Sequence, residues 1–185
     1  ITYDLKDDYL AEGYSAEESA EFDCIETIDA IDSSLRALGY DTLRIGNIRH
    51  LVDFLAKGQR CDLVFNIAEG LNGMCREAQI PALLDAYGIP YVFSDSLILA
   101  VSLHKGMTKS IVRERGVPTP DFRVIHNQEE ISQVDLPFPL FLKPVGGGTG
   151  MGINAYSIVR DTISLHQVAS RLLADFSQPV LVEDF

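Results

Sequence analysis

Cysteine is scarce in this sequence, with three residues in 185, and long apolar runs are missing. Cys24, Cys61 and Cys75 are odd in number, and no two of them have C-x-x-C spacing. The sequence therefore disfavours a disulfide framework or a zinc site, and we expect reduced thiols in a cytoplasmic protein. No run approaches the roughly 20 apolar residues that a membrane-spanning helix needs.

Basic residues are also few, with 15 lysines and arginines against 27 acidic side chains and a net charge of −12. Such an excess of acid disfavours binding to nucleic acid or to an anionic membrane. The excess is uneven, because residues 1–40 hold eleven acids and two bases, whereas residues 41–185 hold sixteen acids and thirteen bases. An anionic ligand can therefore still bind the larger part of the chain.

The acidic segment has the pattern of one long amphipathic helix. Residues 15–18 have the S-x-x-E form of a capping box. Apolar residues then recur every three or four positions from Phe22 to Leu38, and Gly39 is a typical helix end. The sequence predicts a helix over about residues 15–38, with its acids on a solvated face.

Strand-like and helical patterns alternate as far as residue 93. Residues 61–67 form a nearly continuous apolar run, typical of a strand buried on both faces. The alternation predicts an open parallel α/β sheet. The pattern changes within residues 94–104, so we predict an N-terminal α/β domain over residues 1–97 and a second, α+β domain over residues 98–185.

The second domain is predicted to consist of strands and helices around a glycine cluster. After helical residues 94–115, the pattern predicts a strand at 122–125, a helix at 127–134, strands at 140–145 and 153–159, a helix at 162–175 and a strand at 180–185. Five glycines lie within residues 146–152, between two of these strands. This arrangement predicts a glycine-rich β-hairpin.

The glycine cluster fits one of three phosphate-binding patterns. A Walker A loop needs a lysine after its last glycine, and a dinucleotide fingerprint needs a helix where residues 153–157 predict a strand. A glycine-rich hairpin laid over phosphates remains, with Lys143 at the end of the first strand reaching the phosphates. The alternative is a flexible hairpin tip with Lys143 solvated at the sheet edge.

Two further groups of polar residues occupy positions typical of ligand sites. Asn66 and Glu69 follow the strand of residues 61–67, and the carboxyl ends of parallel strands commonly face a ligand cleft. Otherwise Asn66 caps a turn and Glu69 lies on the surface. Lys105 and Lys109 lie one turn apart at a predicted helix start, where positive charge is unfavourable without a nearby anion. Solvated lysines are the alternative there.

Seven sequence blocks in a fixed order indicate a family. They are residues 66–70 (NIAEG), 76–84 (REAQIPALL), 88–91 (GIPY), 103–105 (LHK), 116–120 (GVPTP), 139–144 (PLFLKP) and 180–185 (VLVEDF). Through these blocks the chain, over about residues 35–185, resembles the D-alanine–D-alanine ligases of the ATP-grasp superfamily. The resemblance implies a pre-ATP-grasp α/β domain followed by part of an ATP-grasp domain. It also implies an ATP-dependent ligase that joins a carboxylate to an amine through an acyl phosphate.

The resemblance assigns ATP to the second domain. Lys105 and Lys143 match the lysines that hold the nucleotide phosphates, and Glu183 matches the hinge glutamate that receives the adenine amino group. The loop that closes over the γ-phosphate corresponds to Gly148, Thr149, Gly150 and Gly152. Thr149 stands where the family has a serine that supports the substrate-binding acid, so it is the implied catalytic residue.

The amino-acid substrates are assigned to the first domain. Glu69 matches a substrate-side position that is often histidine in the family, and Asn66 precedes it in the same block. The family's N-terminal acid, which faces the first D-alanine, has no clean counterpart here. Its candidates are Glu12, Glu17 and Glu21. This departure leaves the identity of the joined amino acids open.

Further expectations come from the family's later residues. The resemblance places the Mg²⁺ ligands beyond Phe185, so Mg²⁺ is an expected cofactor without a ligand in this chain, which alone is expected to be inactive. The ends at Ile1 and Phe185 suggest truncation at both sides. The resemblance also implies peptidoglycan synthesis for the cell wall and a homodimer. The alternatives are a non-catalytic ATP- or ligand-binding module of this fold and an ATP-grasp ligase for other amino acids.

Overall fold

The computed structural model describes all residues, 1–185, as two compact units. Unit 1 comprises Ile1–Ala100 and unit 2 comprises Val101–Phe185. The division lies in the region where the sequence pattern changes, and the domain boundary after residue 97 stays a prediction. No helix in either unit combines the length and the apolar character that crossing a bilayer requires.

Four short parallel segments form the centre of unit 1. In chain order the segments lie at Thr2, at Gly46, at Val64 to Asn66 and at Tyr91. The first segment lies between the second and the third, because Thr2 pairs with both Gly46 and Asn66, and Val64 of the third pairs with Tyr91 of the fourth. Backbone hydrogen bonds of 2.9 Å join neighbouring segments, from Ile45 N to Ile1 O, from Thr2 N to Phe65 O and from Val64 N to Pro90 O. The predicted parallel arrangement is confirmed, although each pairing is an isolated bridge.

The third segment is not buried on both faces, contrary to the prediction for residues 61–67. Val64 and Asn66 are buried, but Leu63 is 50% exposed. Val64 and Ala68 contribute to the apolar core on one side of the segment. Alternate residues therefore face away from that core.

The helices of unit 1 are α1 (Lys6–Ala11), α2 (Ile25–Ala37), α3 (Ile48–Ala56), α4 (Gln79–Tyr87) and α5 (Ser96–Leu103), and α5 continues into unit 2. Helix α3 begins after Asn47, whose side chain accepts hydrogen bonds from the Arg49 and His50 amides. Helices α3 and α4 pack on the parallel segments through Leu51, Phe54, Leu55, Val64, Ile80, Leu84 and Ile89.

The helix predicted over residues 15–38 is shorter than the pattern indicates. Ser15 and Glu18 form the two reciprocal hydrogen bonds of a capping box. Ser15 N donates to Glu18 Oε2 at 2.8 Å, and Glu18 N donates to Ser15 Oγ, but the residues that follow form turns and no helix. The chain then pairs with the segment before α1, because Asp23 N donates to Asp4 O and Lys6 N donates to Asp23 O. These backbone bonds delay the helix start to Ile25.

The acids of this segment are also less solvated than predicted. Asp32 on α2 has a side chain only 10% exposed and accepts hydrogen bonds from Thr42 and from Arg44, the latter at 2.9 Å. Hydrogen bonds from Thr42 and Arg44 lower the pKa of Asp32 to about 2. Glu21 is 5% exposed at its side chain, whereas Asp29 remains exposed. The solvated face is therefore only part of the acidic run.

Unit 2 contains a four-stranded antiparallel sheet with helices beside it. Its elements are α6 (Lys105–Glu114), β1 (Phe122–Ile125), α7 (Gln128–Ile131), β2 (Leu140–Pro144), β3 (Ile158–Val159), α8 (Thr162–Phe176) and β4 (Val180–Asp184). The strand order is β1–β4–β2–β3. Alternate residues of β2 and β4 pack against α7 and α8 in a core that includes Leu140, Leu142, Leu165, Leu172, Val180 and Val182.

Strands β2 and β3 pair antiparallel on either side of the glycine cluster, as the hairpin prediction requires. The second strand is nevertheless two residues long, whereas the sequence predicts a strand from residue 153. Asn154 and Ser157 form reciprocal capping hydrogen bonds that stabilise a 3₁₀ turn over Ala155–Ser157. The connection between the two strands is therefore a long loop, residues 145–157, which we call the glycine loop.

Candidate functional site

Three of the five lysines in the chain gather around the start of the glycine loop, and we call them the lysine cluster. Lys105 and Lys109 lie one turn apart on α6, and Lys143 is the fourth residue of β2. Lys143 projects beside Glu183 on the neighbouring strand β4, which pairs with β2. The antiparallel register thus brings residues far apart in sequence into one site.

Glu183 is the anionic centre of this cluster. Its carboxylate accepts a hydrogen bond from Lys143 Nζ at 2.5 Å and one from Lys109 Nζ at 2.7 Å. The residue is 8% exposed. Burial raises the pKa of Glu183, but the hydrogen bonds from Lys109 and Lys143 outweigh this effect and hold the pKa below its usual range. Glu183 is therefore a carboxylate at neutral pH, with one oxygen on each lysine.

Lys105 fixes the first part of the glycine loop. Its ammonium group donates to the carbonyl oxygens of Val145, at 3.2 Å, and of Gly147. Gly146 N donates to the Gln178 side chain at 2.6 Å, so the loop is also held from the β4 side. Three ammonium groups and one carboxylate leave an excess of positive charge here, which suits an anionic ligand such as a phosphate.

The second part of the glycine loop consists of exposed turns. Thr149 and Gly150 are exposed, and the Met151 amide donates to Gly148 O at 2.8 Å. Thr149 has φ +46°, a left-handed conformation that β-branched residues rarely adopt, and Gly150 and Gly152 are left-handed as well. The predicted catalytic residue Thr149 therefore lies in a strained and accessible stretch, a combination common at ligand-binding loops.

Lys109 is the residue of this cluster to which the family resemblance assigned no role. The pattern shows it one helical turn from Lys105, but its partner Glu183 lies 74 positions away in the chain. Periodicity identifies neighbours on the same helix and carries no information about a residue on a distant strand. The Lys109–Glu183 contact is visible only in the tertiary structure, where it joins α6 to β4.

Unit 1 contains an open cavity of about 340 Å³ at the carboxyl end of its third segment, which we call the acidic cavity. Both predicted substrate residues, Asn66 and Glu69, contribute to its lining. The full lining comprises Glu21, Asp23, Thr27, Ile31, Asn66, Ile67, Ala68, Glu69, Glu77, Phe93 and Leu99. The volume is at the lower end of the range for small-molecule sites.

Arg76 organises the carboxylates of the acidic cavity. Its guanidinium group is 9% exposed and forms an ion pair with Glu21. It also lies 3.6 Å from a carboxylate oxygen of Glu69 and 3.7 Å from one of Glu77, and it donates to the Glu69 carbonyl oxygen at 2.9 Å. Of the three N-terminal acids that the resemblance left open, Glu21 is therefore the one that lies with Glu69 in this cavity.

Asn66 supports the shape of the cavity floor. Its side-chain oxygen accepts hydrogen bonds from Thr2 Oγ1 at 2.8 Å and from Ala68 N at 3.3 Å. Nearby, Gly70 N donates to Asp4 at 2.8 Å. Asn66 thus both closes a turn and lines the cavity, so its two sequence-based interpretations are compatible.

Glu69 has a strongly perturbed acidity. Burial, the negative charge of Glu77 and that of Glu21 raise its pKa from 4.5 to about 7, against the opposing effect of Arg76. The folded protein therefore binds a proton at Glu69 more tightly than the unfolded chain does. The resulting contribution to stability is complete below pH 4.5 and is lost as the pH rises towards 7.

We expect Glu69→Gln, which cannot ionise, to raise the free energy of unfolding at pH 8 by on the order of 1 kcal/mol, after allowance for solvent screening. At pH 4 the variant and the wild type are expected to be equally stable. Urea denaturation at both pH values measures the difference. Glu17→Gln, at an exposed position, is the control and should not change the pH dependence. An equal effect of Glu69→Gln at both pH values would contradict the linkage.

Comparisons with known proteins identify relatives over nearly the whole chain, although no family model matches it. An uncharacterised protein y4sG of Sinorhizobium fredii is 30% identical over 164 residues, covering 85% of this chain and 48% of the relative. The D-alanine–D-alanine ligase of Ectopseudomonas mendocina is 30% identical over 175 residues, covering 94% of this chain and 53% of the relative. The chain thus spans about half the length of the curated relatives it matches.

Solved structures agree with these relatives. The D-alanine–D-alanine ligase of Bacillus anthracis superposes with a TM-score of 0.70 and 25% identity, covering 94% of this chain and 54% of that one. A structure of that ligase complexed with ATP also has a TM-score of 0.70, at 24% identity. The fold of the chain is therefore that of the corresponding half of these ligases.

Proposed function

Because the chain belongs to the D-alanine–D-alanine ligase-like proteins of the ATP-grasp superfamily, we propose that it binds ATP and an amino acid for an ATP-dependent carboxylate–amine ligase reaction. In such a reaction ATP supplies the phosphoryl group that activates the carboxylate before the amine attacks it. The lysine cluster beside the glycine loop is the observation that carries this proposal. It combines cationic side chains with a loop rich in backbone amides, as phosphate recognition requires.

The proposed nucleotide site uses both parts of the glycine loop. In the proposal Lys105 and Lys143 hold the phosphates. The Lys105 ammonium group lies on the first part of the loop, and the Lys143 ammonium group lies on Glu183 of the neighbouring strand. The second part closes over the γ-phosphate through Gly148, Thr149, Gly150 and Gly152. Its exposed turns leave the backbone amides and the Thr149 hydroxyl accessible to a ligand.

Glu183 is the proposed acceptor of the adenine amino group. Its lowered pKa supports this role, because a carboxylate that stays ionised at neutral pH accepts a hydrogen bond and does not donate one. Lys109 positions Glu183 in the proposal, since it holds one of the two carboxylate oxygens at 2.7 Å. Lys143 is shared between this carboxylate and the phosphates.

The described residues contain no set of side chains suited to Mg²⁺. No group of three or more histidine, cysteine, aspartate or glutamate side chains within residues 1–185 could hold a metal ion. The residues present therefore do not fit a magnesium site. Within residues 1–185, Lys105, Lys109 and Lys143 supply positive charge to the proposed nucleotide site.

The amino-acid substrate is placed in the acidic cavity. Glu21 and Glu69 present carboxylates to it, and a carboxylate is the natural partner of a substrate ammonium group. Asn66 supports the cavity floor through its bonds to Thr2 and Ala68. The predicted substrate residues therefore act in the proposal as one ammonium-binding group, with Arg76 holding the two glutamates in place.

The proposal predicts that Lys143→Met and Lys105→Met each weaken ATP binding at least tenfold. Each variant removes one ammonium group from the phosphate site, and a charge-assisted hydrogen bond contributes about 1.5–3 kcal/mol. Titration calorimetry of ATP into the 185-residue protein, with Mg²⁺ in solution, measures the affinity. The wild type is expected to bind ATP at one site.

Arg171→Met is the matched control for this experiment. Arg171 is an exposed cation of α8 in the same unit, so its replacement lowers the net charge equally. It should leave ATP affinity within about twofold of wild type, because exposed charges at a distance are screened. Unchanged ATP affinity in Lys143→Met would refute the phosphate role, and a wild type that binds no ATP would refute the proposed function.

A further inference from the structure

The acidic cavity has an apolar wall as well as its carboxylates. Ile31, Phe93 and Leu99 contribute large apolar side chains, and Ile67 and Ala68 add further apolar lining. Apolar surface favours binding only when an apolar part of the ligand covers it and removes it from water. A small, fully polar ligand would leave this wall in contact with water. The lining therefore has two chemical parts, one for an ammonium group and one for a hydrocarbon group.

Phe93 is the most informative residue of the apolar wall. Its side chain is 69% exposed, although large aromatic side chains gain most from burial. Its ring packs edge-on against Phe65, with centroids 5.3 Å apart, which orients it. Its backbone has φ +74°, a conformation that is strained for a bulky residue. An oriented, exposed aromatic ring at a cavity can be covered by a ligand's apolar group.

The size of the cavity exceeds the needs of alanine. Its volume of about 340 Å³ lies within the range of pockets that hold drug-sized ligands. Alanine has six non-hydrogen atoms, and only one of them belongs to its side chain. A branched or aromatic side chain fills more of this space and reaches the apolar wall.

The charge of the lining determines which end of a ligand enters. Glu21, Asp23, Glu69 and Glu77 face the cavity, and Arg76 is the guanidinium that lies among three of these carboxylates. The negative charge exceeds the positive charge, so an ammonium group is attracted and a carboxylate is repelled. The ligand is therefore an amine with an apolar body.

We propose that the acidic cavity selects an amino acid whose apolar side chain is larger than the methyl group of alanine. The inference rests on the proposed function and names its substrate class. The ammonium group meets Glu21 and Glu69, the side chain covers Phe93 and Leu99, and the substrate carboxylate stays outside the acidic lining. Leucine is the test compound because its side chain has three carbon atoms more than that of alanine.

The test compares ligands that differ in one feature each. Both enantiomers of leucine and alanine, together with 3-methylbutylamine, ethylamine and 4-methylpentanoate, are titrated into the 185-residue protein while NMR shifts are recorded. Each buried methylene strengthens binding by roughly fourfold. Because the cavity is open, we expect one enantiomer of leucine to bind at least tenfold tighter than alanine. 3-Methylbutylamine should likewise exceed ethylamine, and 4-methylpentanoate should not bind.

Two variants with equal exposure separate the wall from general surface effects. Phe93→Ser removes an exposed ring from the cavity and should reduce the preference for leucine at least fivefold. Leu97→Ser changes a residue that is also 69% exposed but does not line the cavity, and it should preserve the preference. Both variants should fold, because each removes little buried surface.

The outcomes distinguish this inference from the proposed function. If alanine binds as tightly as leucine, or if Phe93→Ser leaves the preference unchanged, the size selection is overturned while the ligase proposal stands. If 4-methylpentanoate binds and 3-methylbutylamine does not, the ammonium assignment is overturned. ATP titrated into the same samples tests the nucleotide site independently, so its failure counts against the proposed function and not against the cavity preference.

Discussion

Replacing Arg76 by methionine is expected to lower the free energy of unfolding at pH 7 by about 3–5 kcal/mol. Arg76 is 9% exposed and its ion-pair partner Glu21 is 5% exposed, so the variant leaves a buried carboxylate without a counter-charge. Glu69 and Glu77 lie within 4 Å of the same guanidinium group and would repel Glu21 and each other. Methionine retains much of the side-chain length, which limits the contribution of an empty cavity.

The loss should depend on pH, which identifies its electrostatic origin. Glu69 has a pKa of about 7, so it takes up a proton as the pH falls towards 4, and its repulsion of Glu21 and Glu77 disappears. Urea denaturation at pH 4 and pH 7 is therefore expected to show a smaller difference at pH 4. Arg49→Met, at an exposed position of the same unit, is the control and should change stability by at most about 0.5 kcal/mol. A loss independent of pH would indicate packing as the cause.

The second large effect is expected at Gly152 of the glycine loop. A Cβ atom at this position would lie 2.8 Å from the ring of Phe176 and 3.0 Å from Cγ of Pro144, and the backbone has φ +71°. Gly152→Ala combines about 1–2 kcal/mol for the left-handed conformation with about 1–3 kcal/mol for overpacking. We expect a total loss of about 2–5 kcal/mol, measured by urea denaturation.

Gly150→Ala is the matched control for this prediction. Gly150 has a similar φ of +75°, but a Cβ atom there would meet nothing within 4 Å. The control therefore isolates the conformational cost, about 1–2 kcal/mol, from the contact with Phe176 and Pro144. Equal losses in the two variants would show that the close packing of Gly152 contributes nothing to stability.

The two large effects reflect different kinds of constraint on the sites. In the acidic cavity one guanidinium group compensates several carboxylates, so the arrangement that attracts an ammonium group also depends on Arg76. In the glycine loop a missing side chain allows close packing against β2 and α8.

The sequence by itself predicted much of the fold. Alternating strand-like and helical patterns indicated the parallel arrangement of unit 1, and the pattern of residues 94–185 around the glycine cluster indicated most strands and helices of unit 2. These signals are local, because they depend on residues at most one or two turns apart. The ordered sequence blocks were also sufficient to identify Lys105, Lys143, Glu183 and Glu69 as candidate site residues.

Local signals were misleading where distant backbone took part. The capping box at Ser15 predicted a helix start. Instead, Asp23 N donates to Asp4 O and Asp23 O accepts from Lys6 N, and the helix begins ten residues later, at Ile25. The pattern predicted a strand over residues 153–159, but the capping interactions of Asn154 and Ser157 limited it to two residues. In each case the predicted helix or strand competes with another set of hydrogen bonds, the backbone pairing of Asp23 in the first and the side-chain capping by Asn154 and Ser157 in the second.

The tertiary structure alone decided which charges meet. Arg76 and Glu21 are 55 positions apart, and Lys109 and Glu183 are 74 positions apart. A sequence read as helices and strands shows which face a side chain occupies within its own element. The partner of a buried charge depends on how elements pack, and the cost of burying an unpaired charge makes that packing specific. The sequence alone therefore predicted most of the elements and the residue types of the two sites, and the fold determined the extent of those elements and their ion pairs.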